Sequence, residues 1–304
     1  MIIFNGYKVA QEREKALQAH VASIVPGSRP ITIAAIMFRE DAGSKVYTRL
    51  KQEAAARIGM RYLVFEHSLT DSVTKIKADI IKANQYPTIT GIIIQKPTRA
   101  IWQELSAHAP ELPQSFDAWW RELTSTISQD KDVDGLHPDT LTEIEQGTWQ
   151  ENGRVLPATC QAVLSILEVA PVALQQAKAL IIGKSDLLGI PLFHVLRKRG
   201  VNVELLRKAD LDARKADGRL LLDATVVISA TGVPGLITGD MVTQGTVLID
   251  VGEPKADITL ESVREKAAFL TPVPGGVGPL TVISLLENAV QLYTMLDRKG
   301  VQHA

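Results

Sequence analysis

The sequence predicts an α/β protein of two domains with a cleft between them, and three observations carry that reading. The 304-residue chain is long enough for two cores of ordinary size. Short apolar, β-branched runs alternate with helix-period segments along both halves, the pattern of parallel sheets covered by helices. In the second half a glycine turn follows the strand-like ALIIG at 179–183 and leads into a helical segment, the arrangement of Rossmann-type dinucleotide-binding folds.

The first series starts with helical periodicity in VAQEREKALQAHVASIV, a turn at PGSRP and the strand ITIAAIMF at 31–38. The helical SKVYTRLKQEAAARIG, the strand RYLVFE, the helical TDSVTKIKADIIKAN and the strand TGIIIQ follow. From about residue 98 to 130 the pattern loosens into an insertion or lid, with Trp102, Trp119 and Trp120 expected to cover a surface. LPATCQAVLSILEVA reads as a helix connecting the halves. The second series supplies ALIIG, VNVELL, ATVVISA, GTVLIDV and AFLT, whose continuous apolar character suits strands buried on both faces. A final helix is expected over VISLLENAVQLYTMLD. The expected boundaries are 1–156 for the first domain, rejoined by the terminal helix 279–304, and 157–278 for the second.

Composition narrows the function. A net charge of -1 without a Lys/Arg-rich block argues against nucleic acid as a partner. No apolar run approaches the roughly 20 residues of a membrane span, and the first residues lack a secretory pattern. One cysteine, Cys160, excludes an intramolecular disulfide framework and fits a reducing, cytoplasmic setting. The six histidines show no HxxxH or HExxH spacing, so no metal site is expected.

Several short segments could carry chemistry. Tyr47 and Lys51 stand four apart on one helix face; they are either a surface contact or, in an apolar cleft, a pair whose lysine loses its proton near neutrality and acts as a general acid/base. Gln95 ends a strand, at the sheet edge where α/β folds bind ligands. In DKDVDGLHP, Asp132 and Asp134 beside Gly135 form either an Asx-capped turn or a pair that orients a polar substrate. Gly183 and Gly189 bracket the turn GKSDLLG before a helix, suited to a dinucleotide phosphate although it is not GxGxxG. Glu204 lies about 20 residues on, where a ribose-binding acid is expected, but mid-strand. Lys184, Arg207 and Lys208 are either an ordinary basic face or a 2′-phosphate site favouring NADP, with NAD the alternative. TPVPGGVGPLT at 271–281 is either a connecting loop or a shaped site wall on the doorstep of a helix.

In order, SKVYTRLK, GIIIQKP, DKDVDGLHP, GKSDLLGIP, VVISATGVPGLI, GTVLIDVG and TPVPGGVGPLT resemble the successive signatures of the methylenetetrahydrofolate dehydrogenase/methenyltetrahydrofolate cyclohydrolase family. The resemblance spans almost the whole chain and implies a substrate domain and a Rossmann-type domain in a homodimer. It also implies NADP-dependent oxidation of 5,10-methylenetetrahydrofolate and hydrolysis to 10-formyltetrahydrofolate. Lys51 matches the catalytic lysine, Tyr47 its partner, Gln95 the glutamine that tunes it, and Asp134 the aspartate that anchors the pterin. Pro274, Gly275 and Gly276, with Thr281 nearby, match the wall along the substrate. Gly183, Lys184, Ser185, Gly189, Arg207, Lys208, Thr231 and Gly232 fall at the cofactor.

The chain departs from the family pattern in KPTR after Gln95, in a longer stretch up to Lys131, in PATCQA at 157–162, and in Lys184, Arg207 and Lys208. EPKAD after the DVG triplet is also short. Such departures keep two other readings open: a dehydrogenase for another small substrate, and a non-catalytic homologue that binds folate or nucleotide.

Overall fold

The structure is a computed structural model and describes residues 1–25, 30–107 and 115–298. The described residues form two compact units. One comprises Met1–Glu12, Ile144–Gly147 and Pro157–Ser284; the other comprises the described parts of Arg13–Glu143, Thr148–Leu156 and Leu285–Ala304. Among the described residues no helix is long and apolar enough to cross a membrane.

The chain opens with β1 (Ile2–Ile3) and α1 (Gly6–Ile24), followed by β2 (Thr32–Phe38), α2 (Ala42–Ile58), β3 (Arg61–His67), α3 (Val73–Gln85) and β4 (Gly91–Ile94). Strands β3, β2 and β4 make a parallel sheet in that order. Every residue of β2 is buried, as its unbroken apolar run requires at the centre of a covered sheet. Helix α2 starts at Asp41, whose side chain accepts from the Ser44 N–H, and stops at Gly59, which takes the left-handed conformation at φ 90°. The second Asp41 oxygen accepts from the Thr98 N–H at 2.7 Å, tying the start of α2 to the segment after β4.

The described part of that segment carries more helix than its sequence suggests. It contains α4 (Arg99–Ser106) and α5 (Phe116–Thr124), while residues 108–114 lie outside the described residues. Trp102, Trp119 and Trp120 do not simply cover a surface: they are themselves core, at 3%, 0% and 4% exposure. Trp119 packs on Phe38 at the end of β2, with ring centroids 5.3 Å apart, and Trp102 and Phe116 close the cluster.

Helices α6 (Pro138–Gln146) and α7 (Ala158–Val169) precede the second series. It runs β5 (Lys178–Ile182), α8 (Gly189–Lys198), β6 (Asn202–Leu206), α9 (Lys208–Ala216), β7 (Val226–Ser229), β8 (Thr246–Asp250), α10 (Leu260–Val263), β9 (Ala267–Thr271) and α11 (Val277–Arg298). The sheet order is β1-β9-β8-β7-β5-β6, parallel throughout. From β5 the chain steps outward to β6 and then crosses back to β7 on the other side. The ends of β5 and β7 therefore mark the switch point, where sheets of this kind bind nucleotides. Helix α11 begins at Val277, five residues earlier than VISLL suggests, so Gly278 and Pro279 lie in its first turn, where a missing N–H costs no helical bond.

Candidate functional site

In the unit built on β2, β3 and β4, the residues expected to carry chemistry come together. Lys51 lies in the middle of α2 and is 6% exposed. Its Nζ donates to Gln95 Oε1 at 3.2 Å, and Gln95 Nε2 donates in turn to the Tyr62 hydroxyl at 3.3 Å. The second bond fixes the amide orientation, leaving its carbonyl oxygen for the lysine. Burial holds the Lys51 pKa below the usual lysine range, while the Asp134 carboxylate opposes that shift. Burial, with Asp134 adding to it, pushes the Tyr62 phenol well above its ordinary value, so it stays neutral. Tyr47 is half-buried one turn before Lys51 on α2. The sequence reading missed Tyr62: in RYLVFE it is simply an apolar strand residue.

The two aspartates of DKDVDGLHP part company. Asp132 is the turn residue: its oxygens accept from the Leu136 and His137 N–H groups at 3.0 and 2.8 Å, just ahead of α6. Burial raises its pKa. Asp134 is the one whose charge reaches Lys51 and Tyr62. Between them, the Val133 backbone is pinned on two sides. Its N–H donates to Ile92 O, and its carbonyl accepts from buried Asn288 Nδ2 of α11 at 3.0 Å. A Cβ on Gly91 would stand 2.7 Å from Val133 Cβ, so only glycine lets this loop lie on β4. Asn288, unmarked in ENAVQLY, also donates to Leu156 O at 2.9 Å.

In the other unit, the turn after β5 lies at the switch point of the sheet, where folds of this kind hold a dinucleotide. Gly183 has φ 117°, and a Cβ there would collide with Ala230 O at the end of β7; a Cβ on Gly189 would collide with Gly183 O. The turn thus folds back onto the first residues of α8 and onto the Ala230–Gly232 turn at the switch point. Ser185 is half-buried and its carbonyl accepts from the Ile190 N–H at 3.0 Å. Thr231 is held by Asp257, whose Oδ2 accepts from the Thr231 N–H and hydroxyl at 2.7 and 2.8 Å. Burial, with the Asp257 carboxylate adding to it, pushes the neighbouring Asp250 up to about 6.

Two readings for the nucleotide meet further contacts in the structure. Glu204 is mid-strand, as the sequence indicates: it is level with Leu180, below the strand ends, and bonded to Lys178 and Arg214 at 2.7 and 2.6 Å. Lys184 and Arg207, two of the three cations there, have an acidic neighbour in Asp210. Arg207 precedes α9, and Asp210 accepts both its N–H at 2.7 Å and its guanidinium at 3.3 Å; Lys184 acts on the same carboxylate.

The resemblance sets the PVPGG glycines along the substrate, where they would leave room for flat rings; in the structure residues of the chain itself pack against them. Gly275 has φ 98°, and a Cβ there would stand 2.7 Å from the Tyr7 ring. At Gly276 a Cβ would meet Pro272 O at 2.6 Å and Thr271 Cβ at 2.8 Å. Gly6, whose N–H donates to Gly275 O at 2.9 Å, leaves no room for a Cβ against the same carbonyls. Gly6 and Gly275 therefore allow the N-terminal segment to dock on this turn, and Gly276 lets the turn close on Thr271 and Pro272. Pro274 is exposed, and Thr281 lies within α11, donating to Val277 O.

Comparisons with known proteins agree with this two-part arrangement. A family model described as the tetrahydrofolate dehydrogenase/cyclohydrolase catalytic domain matches residues 4–134, and one described as the NAD(P)-binding domain of the same enzymes matches residues 157–296. The bifunctional protein FolD of Staphylococcus aureus (strain bovine RF122 / ET3-1) is 30% identical over 306 residues, covering 98% of both chains. Among solved structures, the Trypanosoma brucei methylenetetrahydrofolate dehydrogenase-cyclohydrolase, determined with NADP and an inhibitor, is 27% identical with a TM-score of 0.84, covering 98% of each chain. The 5,10-methylenetetrahydrofolate dehydrogenase of the silkworm Bombyx mori is 28% identical with a TM-score of 0.81, covering 98% of this chain and 99% of its own. With both halves matched in order and the relatives aligned end to end, the chain belongs to the tetrahydrofolate dehydrogenase/cyclohydrolase family.

Proposed function

We propose that the protein oxidises 5,10-methylenetetrahydrofolate to the 5,10-methenyl form with NADP and hydrolyses that product to 10-formyltetrahydrofolate. Beyond family membership, one observation carries the reading: Lys51 is a buried lysine, held by Gln95 and shifted toward its neutral form. The methenyl cation is already electrophilic, so the protein's task is to place a water and manage protons. Neutral Lys51 takes a proton from the water as its oxygen bonds to the methenyl carbon. The hydroxyl of the resulting adduct then loses its proton while N5 gains one and the N5–carbon bond breaks, which leaves the formyl group on N10 with one proton released overall. Gln95 stabilises the charged lysine, and Tyr62 holds Gln95 in the orientation that does so. A neutral Tyr62 phenol adds no second negative charge beside Asp134.

Tyr47 and Asp134 are assigned to the folate. Along 274–276, exposed Pro274 and the main chain are left for ligand contact, because the Cα faces of Gly275 and Gly276 are occupied. Gly183, Lys184, Ser185, Gly189, Thr231 and Gly232 are assigned to holding the dinucleotide, with Arg207 and Lys208 toward a 2′-phosphate. When bound, its nicotinamide accepts the hydride of the oxidation step. We further propose a cytoplasmic homodimer. Free, buried Cys160 suits a reducing compartment. The edge strand β3 exposes Leu63 and Val64 at 44% and 37%, an apolar edge that pairing with a second copy would cover.

The test is to mix purified protein with methylenetetrahydrofolate and either NADP⁺ or NAD⁺ while following reduced cofactor and methenyl intermediate together. Reduced cofactor and transient methenyl species are expected, faster with NADP⁺. Binding without product would identify a non-catalytic homologue, and failure to bind tetrahydrofolate analogues would point to another substrate.

A further inference from the structure

The most elaborate polar construction outside the Lys51 set lies at the C-terminal edge of the six-stranded sheet, and at its centre is Asp257. This side chain is fully buried. Its Oδ2 accepts three hydrogen bonds: from the Ser229 hydroxyl at 2.7 Å, the Thr231 N–H at 2.7 Å and the Thr231 hydroxyl at 2.8 Å. Its Oδ1 has no partner and faces the Cα of Gly252, where a Cβ would stand 2.5 Å away. No cation is paired with Asp257 among the described residues. A buried carboxylate without a counter-ion is a costly way to close a loop, and a hydrophobic contact would stabilise as well.

What Asp257 gains for that cost is a defined place for Thr231. One of its donors, Ser229, is a buried residue at the end of β7; the other two belong to the turn that follows. Asp257 itself is fixed from behind by Asp250 at the end of β8, whose carboxylate accepts from the Gly252, Asp257 and Ile258 N–H groups at 2.8, 3.2 and 2.8 Å. Asp250 is in turn bonded through its main chain to the Thr271 hydroxyl at the end of β9. The ends of β7, β8 and β9 are thereby linked to one turn, Ala230–Gly232, which abuts Gly183 at the switch point.

We infer that Asp257 is a positioning residue for the dinucleotide: it fixes the Thr231–Gly232 turn against the Gly183 turn. This rests on the assignment of those turns to the nucleotide made above. Asp257 touches no reacting atom, and cyclohydrolysis, which consumes no dinucleotide, does not depend on it. A residue that only held the fold together would reduce both activities alike.

The experiment uses full-length protein and the Asp257→Asn variant. NADP⁺ affinity is measured by calorimetry, dehydrogenase KM and kcat by cofactor reduction, and cyclohydrolase rate on supplied methenyltetrahydrofolate. Replacing the charged acceptor with an amide weakens all three bonds, so an NADP⁺ affinity lower by about tenfold is expected, visible in KM more than in kcat, with cyclohydrolase turnover unchanged. Unchanged affinity, or parallel loss of both activities, overturns the inference. Should Asp257→Asn not fold, Ser229→Ala removes one of the three donors. A two- to threefold loss of NADP⁺ affinity, on the order of one weakened hydrogen bond, supports the role, and none overturns it. Wild-type protein that bound no dinucleotide would refute the functional reading itself; normal wild-type binding with an indifferent variant refutes only the role of Asp257.

Discussion

The Lys51 amine and the Gln95 amide oxygen lie 3.2 Å apart, each on a side chain only 6% exposed. A lysine held that way contributes little to stability, since burial works against its charge. Lys51→Met should therefore lower cyclohydrolase turnover by at least about a hundredfold, the scale of a lost general base, while leaving the melting temperature equal or higher. Turnover near wild type in a folded variant would remove Lys51 from the reaction.

Tyr62→Phe tests the next link. Without the hydroxyl, Gln95 Nε2 loses its acceptor and the amide is free to turn its other end toward Lys51. A loss of cyclohydrolase activity of about tenfold is expected, consistent with one misdirected buried hydrogen bond. A Tyr62→Phe enzyme with full activity would show that the amide needs no such restraint.

Asp134 sets the pH at which Lys51 works. Its negative charge favours the protonated amine, opposing the larger effect of burial. Removing it in Asp134→Asn must lower the Lys51 pKa further, so the rising limb of the cyclohydrolase pH profile should move to lower pH even as substrate affinity falls. A shift to higher pH would contradict the assigned charge relationship.

Gly275→Val separates packing from ligand clearance. At φ 98° a β-branched residue is strained, and its Cβ would meet Tyr7. A loss of about 2 kcal/mol or more is expected in denaturant unfolding, whether or not folate is present. Tyr7→Ala in the same background should relieve only part of it, because the backbone strain remains. A Gly275→Val protein of normal stability with poor ligand binding would restore the clearance role.

Much of this was legible because burial on both faces leaves a continuous mark in sequence. The strands β2, β4, β7 and β8 are short runs dominated by apolar, mostly β-branched residues, and they read as buried strands. What escaped was fixed by long-range partners. Trp102 and Trp119 look like surface aromatics until Phe38 is brought beside them. Tyr62 carries no local sign that its hydroxyl ends at Gln95. Glu204 lies at the spacing of a ribose acid, but strand register puts it opposite Leu180, where Lys178 and Arg214 hold it. Glycines mark tight places without saying what does the crowding, and in PVPGG it is Tyr7 and Pro272.

Strand β1 has an implication for how the molecule is made. Ile2 pairs with Phe269, and Gly6 bonds to Gly275, so residues 2–6 find their partners only once the chain has been made past residue 275. The outermost strand of the six-stranded sheet cannot form while the polypeptide is still emerging, and its closure is a late, high-separation event. The sheet of β3, β2 and β4, by contrast, is complete by residue 94 and can assemble first.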